Sequence, residues 1–311
     1  MMNPSGDAPL RPTVARKRPS AIYPTPNRFR ALGTPRRRVN TAHTTPQGGA
    51  HPPLLFLTLE PAQIPTMTLS AALLHPDWPA PPHVHALSTT RQGGVSVPPY
   101  ASFNLGSHVG DNPAAVAHNR ALLRAHLPSE PAWLNQVHGT RVVEAATVGT
   151  VPPDADASVT RRSGMVCAIL TADCLPVLLT DRSGSVVAAA HAGWRGLLGG
   201  VLEATVAKMA CPPAEVLVWL GAAISPDAFE VGAEVRAAFV AEAAEADVAF
   251  QPLPDGKFLA DIYQLARQRL ARVGVLAVYG GESCTVIERE AFFSYRREGI
   301  TGRMASLIWR D

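Results

Sequence analysis

The chain of 311 residues is 47% hydrophobic and 17% charged, which is enough apolar material for a sizeable buried core. No apolar run approaches the roughly 18 residues that a membrane span needs, so the sequence predicts neither a membrane anchor nor a secretory signal. The four cysteines show no paired CxxC spacing, which favours a reducing, cytoplasmic compartment over a disulfide-stabilised extracellular one.

The net charge of +3 conceals an uneven distribution along the chain. Residues 1–66 carry nine Lys/Arg against two Asp/Glu, whereas residues 67–311 carry 19 against 23. Because the basic excess belongs to the leader and the remaining chain is mildly acidic, the charge does not predict nucleic acid as a partner.

Residues 1–66 also differ from the rest in composition. They contain 12 of the 29 prolines and the clusters RKR and RRR, without sustained helix or strand periodicity. We therefore expect a disordered leader over residues 1–66 and a single folded domain over residues 67–311. We interpret the leader as upstream sequence read through from an early start, with a basic tail or an Arg-rich transit peptide as the alternatives.

From Val84 onward, short β-rich segments alternate with longer helical ones, which predicts a mixed α/β or α+β fold. The predicted helices cover residues 113–126, 193–209, 232–244 and 261–273. The predicted strands cover residues 84–89, 142–146, 166–171, 176–180, 186–190, 216–220 and 304–309. Three strands lie within residues 166–190 with short turns between them, so we expect part of the sheet to be antiparallel rather than purely Rossmann-type.

Three potential metal ligands occur where predicted strands end. Cys174 lies in TADCLP, between the apolar runs VCAIL and VLLT, and His191 directly follows VVAAA. His138 lies in WLNQVHG, at the end of a short apolar run. Functional sites commonly assemble at such positions. Two histidines and one cysteine are the ligand set of a catalytic zinc site, in which a fourth position stays open to water or substrate.

The same residues also fit a thiol hydrolase, with Cys174 as the nucleophile and His138 or His191 as its base. The intervals of 36 and 17 residues between the three positions match no short zinc-finger pattern. The residue pattern alone therefore leaves the metal centre and the thiol nucleophile as alternatives.

Two arginines are candidates for binding an anion. Arg91 precedes a double glycine in STTRQGGVS, and Arg195 follows HAGW at the predicted start of a helix. Both can contact phosphate through bidentate hydrogen bonds, and a helix start would assist Arg195. A surface salt bridge is the alternative role for either side chain.

Segments spread over residues 84–309 together resemble one family. In chain order they are STTRQGGVSVPPYASFNLGSHVGDNP, WLNQVHG, ADASVT, TADCLPVLL, AAHAGWRG, WLGAAISPDAFEVG, ADIYQLARQRL and FFSYRREGITGRMASLIW. They are similar to the YfiH-like, laccase-domain family of purine nucleoside phosphorylases, and none of them lies in residues 1–66.

The resemblance implies a catalytic domain over residues 67–311, with zinc held by His138, Cys174 and His191. It implies phosphorolysis of adenosine, inosine, guanosine and methylthioadenosine, and deamination of adenosine, so the expected partners are purine nucleosides and inorganic phosphate. It also implies mixed β-sheets that form a sandwich flanked by helices, similar to a toxin-type cysteine hydrolase.

Phosphorolysis requires an anion site and a route for protons beside the sugar. On this hypothesis Arg91 and Arg195 are the candidates for phosphate. Asp173, next to Cys174, is the candidate proton carrier, or else the partner that orients a ligand histidine.

Members of the family have also been called copper polyphenol oxidases. A multicopper site needs many histidines, whereas residues 67–311 contain eight, of which six fall outside the three-ligand set. A single zinc therefore fits better than several coppers. A copper-dependent phenol oxidase and a non-catalytic structural zinc domain are the alternatives, and an open, water-bearing ligand position would favour an enzyme.

Overall fold

The computed structural model describes residues 72–311. The predicted leader, residues 1–66, lies outside this part of the chain. Within it, no helix has the length and apolar character required to cross a membrane.

Residues 72–311 form 13 strands and six α-helices. The strands are β1 (Leu73–Leu74), β2 (Val84–Thr89), β3 (Val142–Glu144), β4 (Ala157–Thr160), β5 (Cys167–Thr171), β6 (Leu175–Asp181), β7 (Val187–Ala192), β8 (Val216–Leu220), β9 (Glu230–Val231), β10 (Phe250–Pro252), β11 (Phe258–Ala260), β12 (Ala277–Gly280) and β13 (Met304–Arg310). The helices are α1 (Pro113–Arg124), α2 (Trp194–Gly199), α3 (Val201–Met209), α4 (Ala233–Glu242), α5 (Ile262–Arg272) and α6 (Tyr295–Glu298).

The strands form three sheets. A four-stranded sheet has the order β1-β2-β13-β5, and a six-stranded sheet has the order β12-β8-β6-β7-β4-β3. A small three-stranded sheet has the order β10-β11-β9. In the six-stranded sheet β6 pairs antiparallel with both β7 and β8, whereas β12 pairs parallel with β8. The fold is therefore a mixed α+β structure.

The two larger sheets pack face to face, because their strands are apolar on both sides. On β6, Leu178 joins Cys167 and Ile169 of β5 in the core between the sheets. Its neighbours Val177 and Leu179 point to the opposite face, towards the helices. A strand that is buried on both faces has a continuous apolar sequence, and VLLT in β6 shows this pattern.

Helices cover the two outer faces of this sandwich. Val206 of α3 and Leu270 of α5 belong to the core on the outer face of the six-stranded sheet. Leu123 of α1 packs in one cluster with Leu170 and Leu307 on the outer face of the four-stranded sheet. The predicted sandwich of mixed sheets flanked by helices is thus confirmed.

Several element boundaries differ from the predictions. The helix predicted over residues 193–209 is divided into α2 and α3, because Gly200 adopts a left-handed φ of 97° that ends the first helix. The strand predicted over residues 142–146 ends at Glu144 and continues as a 3-10 turn. The antiparallel pairing within residues 166–190 is confirmed for β6 and β7, but β5 belongs to the other sheet.

The hairpin turn between β6 and β7 is held by the buried carboxylate of Asp181. It accepts hydrogen bonds from the hydroxyls of Ser183 and Ser185 and from the backbone N–H groups of Ser185 and Val186. Burial raises the pKa of Asp181, but these hydrogen bonds outweigh it and hold the pKa below its ordinary value. The turn thereby maintains the register that pairs Pro176 with His191.

We expect Asp181→Ala to lower the free energy of unfolding by about 1–3 kcal/mol at pH 7, because buried N–H groups lose their acceptor. Since the folded-state pKa is lowered, this stabilisation is present above the ordinary carboxyl pKa and is lost as the pH falls through the folded value. Urea unfolding at neutral and at acidic pH measures both effects.

Asp255, an exposed aspartate in the turn between β10 and β11, is the matched control. Asp255→Ala should change the free energy of unfolding by less than about 0.5 kcal/mol. Equal losses in the two variants would show that the Asp181 hydrogen bonds contribute nothing specific to the hairpin.

Candidate metal centre and its pocket

His138, Cys174 and His191 come from three separate segments and meet at one end of the six-stranded sheet. His138 lies in the loop before β3, Cys174 immediately precedes β6, and His191 lies near the end of β7. One potential ligand atom from each residue lies within 4.8 Å of the others. The structure therefore brings together all three residues that the sequence singled out as metal ligands.

The distances within this cluster suit a metal ion. Cys174 Sγ lies 3.7 Å from His138 Nε2. Tetrahedral zinc, with bonds of about 2.3 Å to sulfur and about 2.0 Å to nitrogen, separates two such ligand atoms by about 3.6 Å. Within residues 72–311 no fourth His, Cys, Asp or Glu joins the cluster, so the protein supplies three ligands. His138 is exposed and Cys174 partly exposed, which leaves a side of the cluster accessible.

Asp156 fixes the orientation of His191. Its carboxylate Oδ1 lies 2.8 Å from His191 Nδ1, and both side chains are buried. The antiparallel pairing of β4 with β7 places these residues side by side, because Asp156 directly precedes β4. With Nδ1 engaged, Nε2 is the ring nitrogen of His191 that can bind a metal.

The same carboxylate also holds the loop that carries His138. It accepts the backbone N–H groups of Val137, His138 and Gly139 at 3.2, 2.9 and 2.6 Å. His138 has a φ of 59°, a left-handed conformation that a non-glycine residue keeps only when its surroundings stabilise it. Asp156 thus positions two of the three ligands.

Gln136 attaches this loop to the neighbouring sheet. Its side-chain amide donates to the carbonyl of Leu170 at 2.7 Å and accepts from the Leu170 N–H at 2.8 Å. The Gln136 side chain thus makes the two hydrogen bonds that a neighbouring strand would make to Leu170. These bonds attach the QVHG loop to the end of β5.

Gly193 leaves the space that the metal ligands occupy. A Cβ atom at this position would lie 2.8 Å from His138 Cδ2 and 3.1 Å from Cys174 Sγ. Both separations are shorter than ordinary van der Waals contacts, so any other residue would push the ligands apart. The glycine of HAGWRG is therefore required for α2 to begin beside the cluster.

Cys174 and His191 form a charged pair in the metal-free protein. Burial raises the pKa of the Cys174 thiol, but the charge of His191 and hydrogen bonds from both histidines outweigh it and lower the pKa to about 6. Burial lowers the pKa of His191, whereas Cys174 and Asp156 raise it to about 9. Cys174 is thus a thiolate at neutral pH, which is the form that binds metals and acts as a nucleophile.

The cluster opens into a pocket of about 370 Å³. Besides the three ligands and the backbone around the end of β5, the pocket is lined by His108, Gln136, Tyr295 and Arg303. A smaller, mainly apolar cavity of about 90 Å³ shares Cys174 and Tyr295 with it and is lined by Asp173, Trp194, Ile224, Phe229, Ile262 and Arg296. The candidate metal centre therefore lies between a larger pocket that contains several polar side chains and a smaller, mainly apolar cavity.

Asp173 does not contact a ligand histidine, which was one of the two roles expected from the sequence. Its carboxylate accepts the Thr285 hydroxyl at 2.6 Å and the Arg296 N–H at 2.6 Å, so it fixes the start of α6 next to Cys174. It makes no hydrogen bond to a ligand histidine. Asp156 makes that contact instead, and the structure does not support Asp173 as the residue that orients a ligand.

Neither arginine chosen from the sequence lines the pocket of the metal ligands. Arg91 forms an ion pair with Glu298 at 2.8 Å and donates to the carbonyls of Ala101 and Arg289, in a separate surface cavity. Arg195 is exposed, and its guanidinium lies 4.3 Å from the ring centre of Trp194. Arg303 is the arginine that lines the pocket, and nothing in its local sequence distinguishes it.

We expect Asp156→Asn to weaken metal binding by about 10–100-fold, because the amide presents the wrong charge to His191 and can accept fewer of the loop N–H groups. Metal affinity is measured by competition with a chromogenic chelator. Asp154, an exposed residue two positions earlier that bonds Asn135, is the control. If Asp154→Asn weakens metal binding as much as Asp156→Asn, the proposed positioning role of Asp156 is wrong.

In the metal-free protein, we expect iodoacetamide to alkylate Cys174 at a rate that rises as the pH passes through about 6, because the thiolate is the nucleophile. Cys211 is a partly exposed control whose pKa is raised by burial, so its alkylation should require a more alkaline pH. Mass spectrometry assigns each adduct to its cysteine. Bound zinc should slow the reaction at Cys174 and leave that at Cys211 unchanged.

Comparison with known proteins places this site in a family context. The chain matches the family described as Multi-copper polyphenol oxidoreductase laccase over residues 85–311. Purine nucleoside phosphorylase YfiH of Escherichia coli (strain K12) is 58% identical over 239 residues, which cover 76% of this chain and 98% of that protein. Purine nucleoside phosphorylase PA4543 of Pseudomonas aeruginosa is similar to the same extent.

Solved structures show the same relationship. The protein NMB0706 of Neisseria meningitidis superposes with a TM-score of 0.75 at 58% identity, covering 77% of this chain and 99% of that one. YlmD of Geobacillus stearothermophilus superposes with a TM-score of 0.69 at 31% identity, covering 74% and 92%. Since the family match spans most of the chain and the relatives align over nearly their full length, the chain belongs to the YfiH-like, laccase-domain family.

Proposed function

We propose that the protein is a purine nucleoside phosphorylase that depends on zinc held by His138, Cys174 and His191. The observation that carries the proposal is the three-ligand cluster, whose accessible side faces a pocket in a chain 58% identical to proteins called purine nucleoside phosphorylase. The proposed substrates are adenosine, inosine, guanosine and methylthioadenosine, together with inorganic phosphate. Adenosine is also deaminated in the same pocket.

The two cavities suit the two ends of a nucleoside. Aromatic and aliphatic side chains, including Trp194 and Phe229, surround the smaller cavity and offer apolar faces to a purine base. The larger pocket offers the polar side chains of His108, Gln136 and Arg303 to the ribose and phosphate. Zinc, when bound, polarises a substrate oxygen or nitrogen and lowers the pKa of a bound water towards ~7. Tyr295 borders both cavities and would contact the sugar between them.

A thiol hydrolase is the second candidate, because one observation favours it. Cys174, with a pKa of about 6, lies beside His191, which in turn contacts Asp156, so the three side chains also form a Cys-His-Asp arrangement. A multicopper oxidase has less support, since residues 72–311 contain a single cluster suited to a metal ion.

The four cysteines are unpaired, which supports the proposed cytoplasmic location.

Incubation with adenosine, in the presence and absence of phosphate, tests this function. Adenine should appear only when phosphate is present, because phosphate is the nucleophile that cleaves the glycosidic bond. Inosine should form from adenosine in either condition, because deamination requires only water. Chromatography of the products measures both reactions, and a chelator should abolish both until zinc is restored.

Metal content separates the zinc enzyme from the thiol hydrolase. The wild type should contain about one zinc per chain, and Cys174→Ala should lose most of it, because a three-ligand site tolerates few losses. Cys211→Ala, at a cysteine outside the site, should retain both zinc and activity. Full activity in metal-free protein, with a covalent intermediate on Cys174, would replace the zinc mechanism by the thiol hydrolase. Oxygen uptake with a phenol and copper would favour the oxidase.

A further inference from the structure

Basic side chains contribute to the lining of the pocket that His138, Cys174 and His191 share. His108 and Arg303 both line this pocket. Burial, together with the charges of Arg303 and of Arg120 behind it, lowers the pKa of His108. The pocket thus contains two basic side chains, His108 and Arg303, and the charge of Arg120 adds to theirs from outside the lining.

Each arginine in this group is held by neutral groups. Arg303 Nη1 donates to the carbonyls of Thr301 and Gly302 at 3.1 and 2.9 Å. Arg120 Nε donates to the Leu105 carbonyl at 3.0 Å, and its guanidinium lies 4.4 Å from the ring centre of Trp133. These contacts fix the guanidinium groups in place but leave several of their five N–H donors unused.

Neither arginine forms an ion pair with a carboxylate. The charges of Cys174 and Asp173 act on Arg303, and that of Glu130 acts on Arg120, only from longer range. Among residues 72–311, no carboxylate oxygen lies within 4.0 Å of a nitrogen of Arg303 or Arg120, whereas Arg91, Arg269 and Arg297 each form such an ion pair. Both side chains are largely withdrawn from solvent, and burial lowers the pKa of each. A guanidinium that no carboxylate contacts keeps N–H donors available to an anion that enters the pocket.

We propose that Arg303 and His108 form a subsite that binds a phosphate-type anion beside the metal centre. This inference rests on the proposed function, and it locates the group that binds phosphate at residues different from Arg91 and Arg195. Arg303 presents a planar pair of donors to two oxygens of the anion, and His108 donates a further N–H. Arg120 contributes charge from behind without touching the anion.

The position of Arg303 follows from its place in the chain. It directly precedes β13, the strand that lies between β2 and β5, and its N–H donates to the buried side chain of Asn104 at 2.9 Å. Its backbone is thus rigidly held by the four-stranded sheet. A rigid donor that is already oriented loses little entropy when an anion binds.

Two sources can supply the anion: inorganic phosphate and the 5′-phosphate of a nucleotide. Phosphate titration followed by ³¹P NMR on zinc-loaded protein measures binding without turnover. We expect Arg303→Gln to raise the dissociation constant for phosphate by about tenfold or more, the usual effect of losing a charged hydrogen bond. His108→Gln should raise it by a smaller factor. Arg182→Gln, at an exposed arginine near Glu215, is the control and should leave it unchanged.

Zinc content and melting temperature are measured for every variant. If Arg303→Gln does not fold, His108→Gln and Arg303→Lys take its place, because His108 is exposed and lysine retains the charge of Arg303. Lysine lacks the bidentate geometry and should still weaken phosphate binding several-fold. Unchanged phosphate affinity in folded, zinc-loaded variants of both positions would overturn the proposal.

A second arm compares adenosine with adenosine 5′-monophosphate. If phosphate binds and the nucleotide binds no more tightly than the nucleoside, the anion is inorganic phosphate. If only nucleotide binding depends on Arg303, the subsite is retained but it holds the phosphate of a substrate.

Phosphorolysis with an unchanged KM for phosphate in Arg303→Gln would reject the subsite and retain the proposed function. Arg303-dependent phosphate binding without any phosphorolysis would retain the subsite and reject that function.

Discussion

One buried carboxylate, that of Asp156, contacts the imidazole of His191 and accepts three consecutive backbone N–H groups of the loop that carries His138. These two histidines are 53 residues apart in the chain. A buried carboxylate is stable only when its oxygens are fully hydrogen-bonded, so the loop and the imidazole stabilise Asp156 as much as Asp156 positions them. The geometry of the metal centre depends on this mutual arrangement.

The β-sandwich places Asp156 and the third ligand where they are needed. β7 lies between β4 and β6, so the residue that precedes β4 and the residue that precedes β6 both approach His191. Helix α2 then starts at Gly193, close enough to contact His138 and Cys174. Apolar packing on both faces of the sheet fixes the backbone, and the polar residues at its end acquire their geometry from that rigid support.

The sequence allowed the grouping of His138, Cys174 and His191 to be predicted, because each follows or interrupts an apolar run; their role as metal ligands stays a prediction. It did not reveal Asp156, since β4 is short and the carboxylate becomes a partner of His191 only through strand pairing. Arg91 resembled an anion-binding residue beside glycines, but Glu298 neutralises it from 207 residues away. Arg303 lies in the segment FFSYRREGITGRMASLIW but has no local anion-binding signal, because its proposed role depends on which side chains the fold leaves without a carboxylate. Long-range pairings of this kind leave no periodicity in the chain.

The central position of β13 in the four-stranded sheet has a consequence for the order of folding. β13 separates β2 from β5, and Ser306 of β13 bonds Ser88 of β2 although the two residues are 218 positions apart in the chain. Such distant pairing forms slowly, because a long loop must close before any contact stabilises it. Until then β2 and β5 present unpaired edges that favour aggregation. Because Arg303 directly precedes β13, we expect it to reach the pocket only when this strand pairs with β2 and β5.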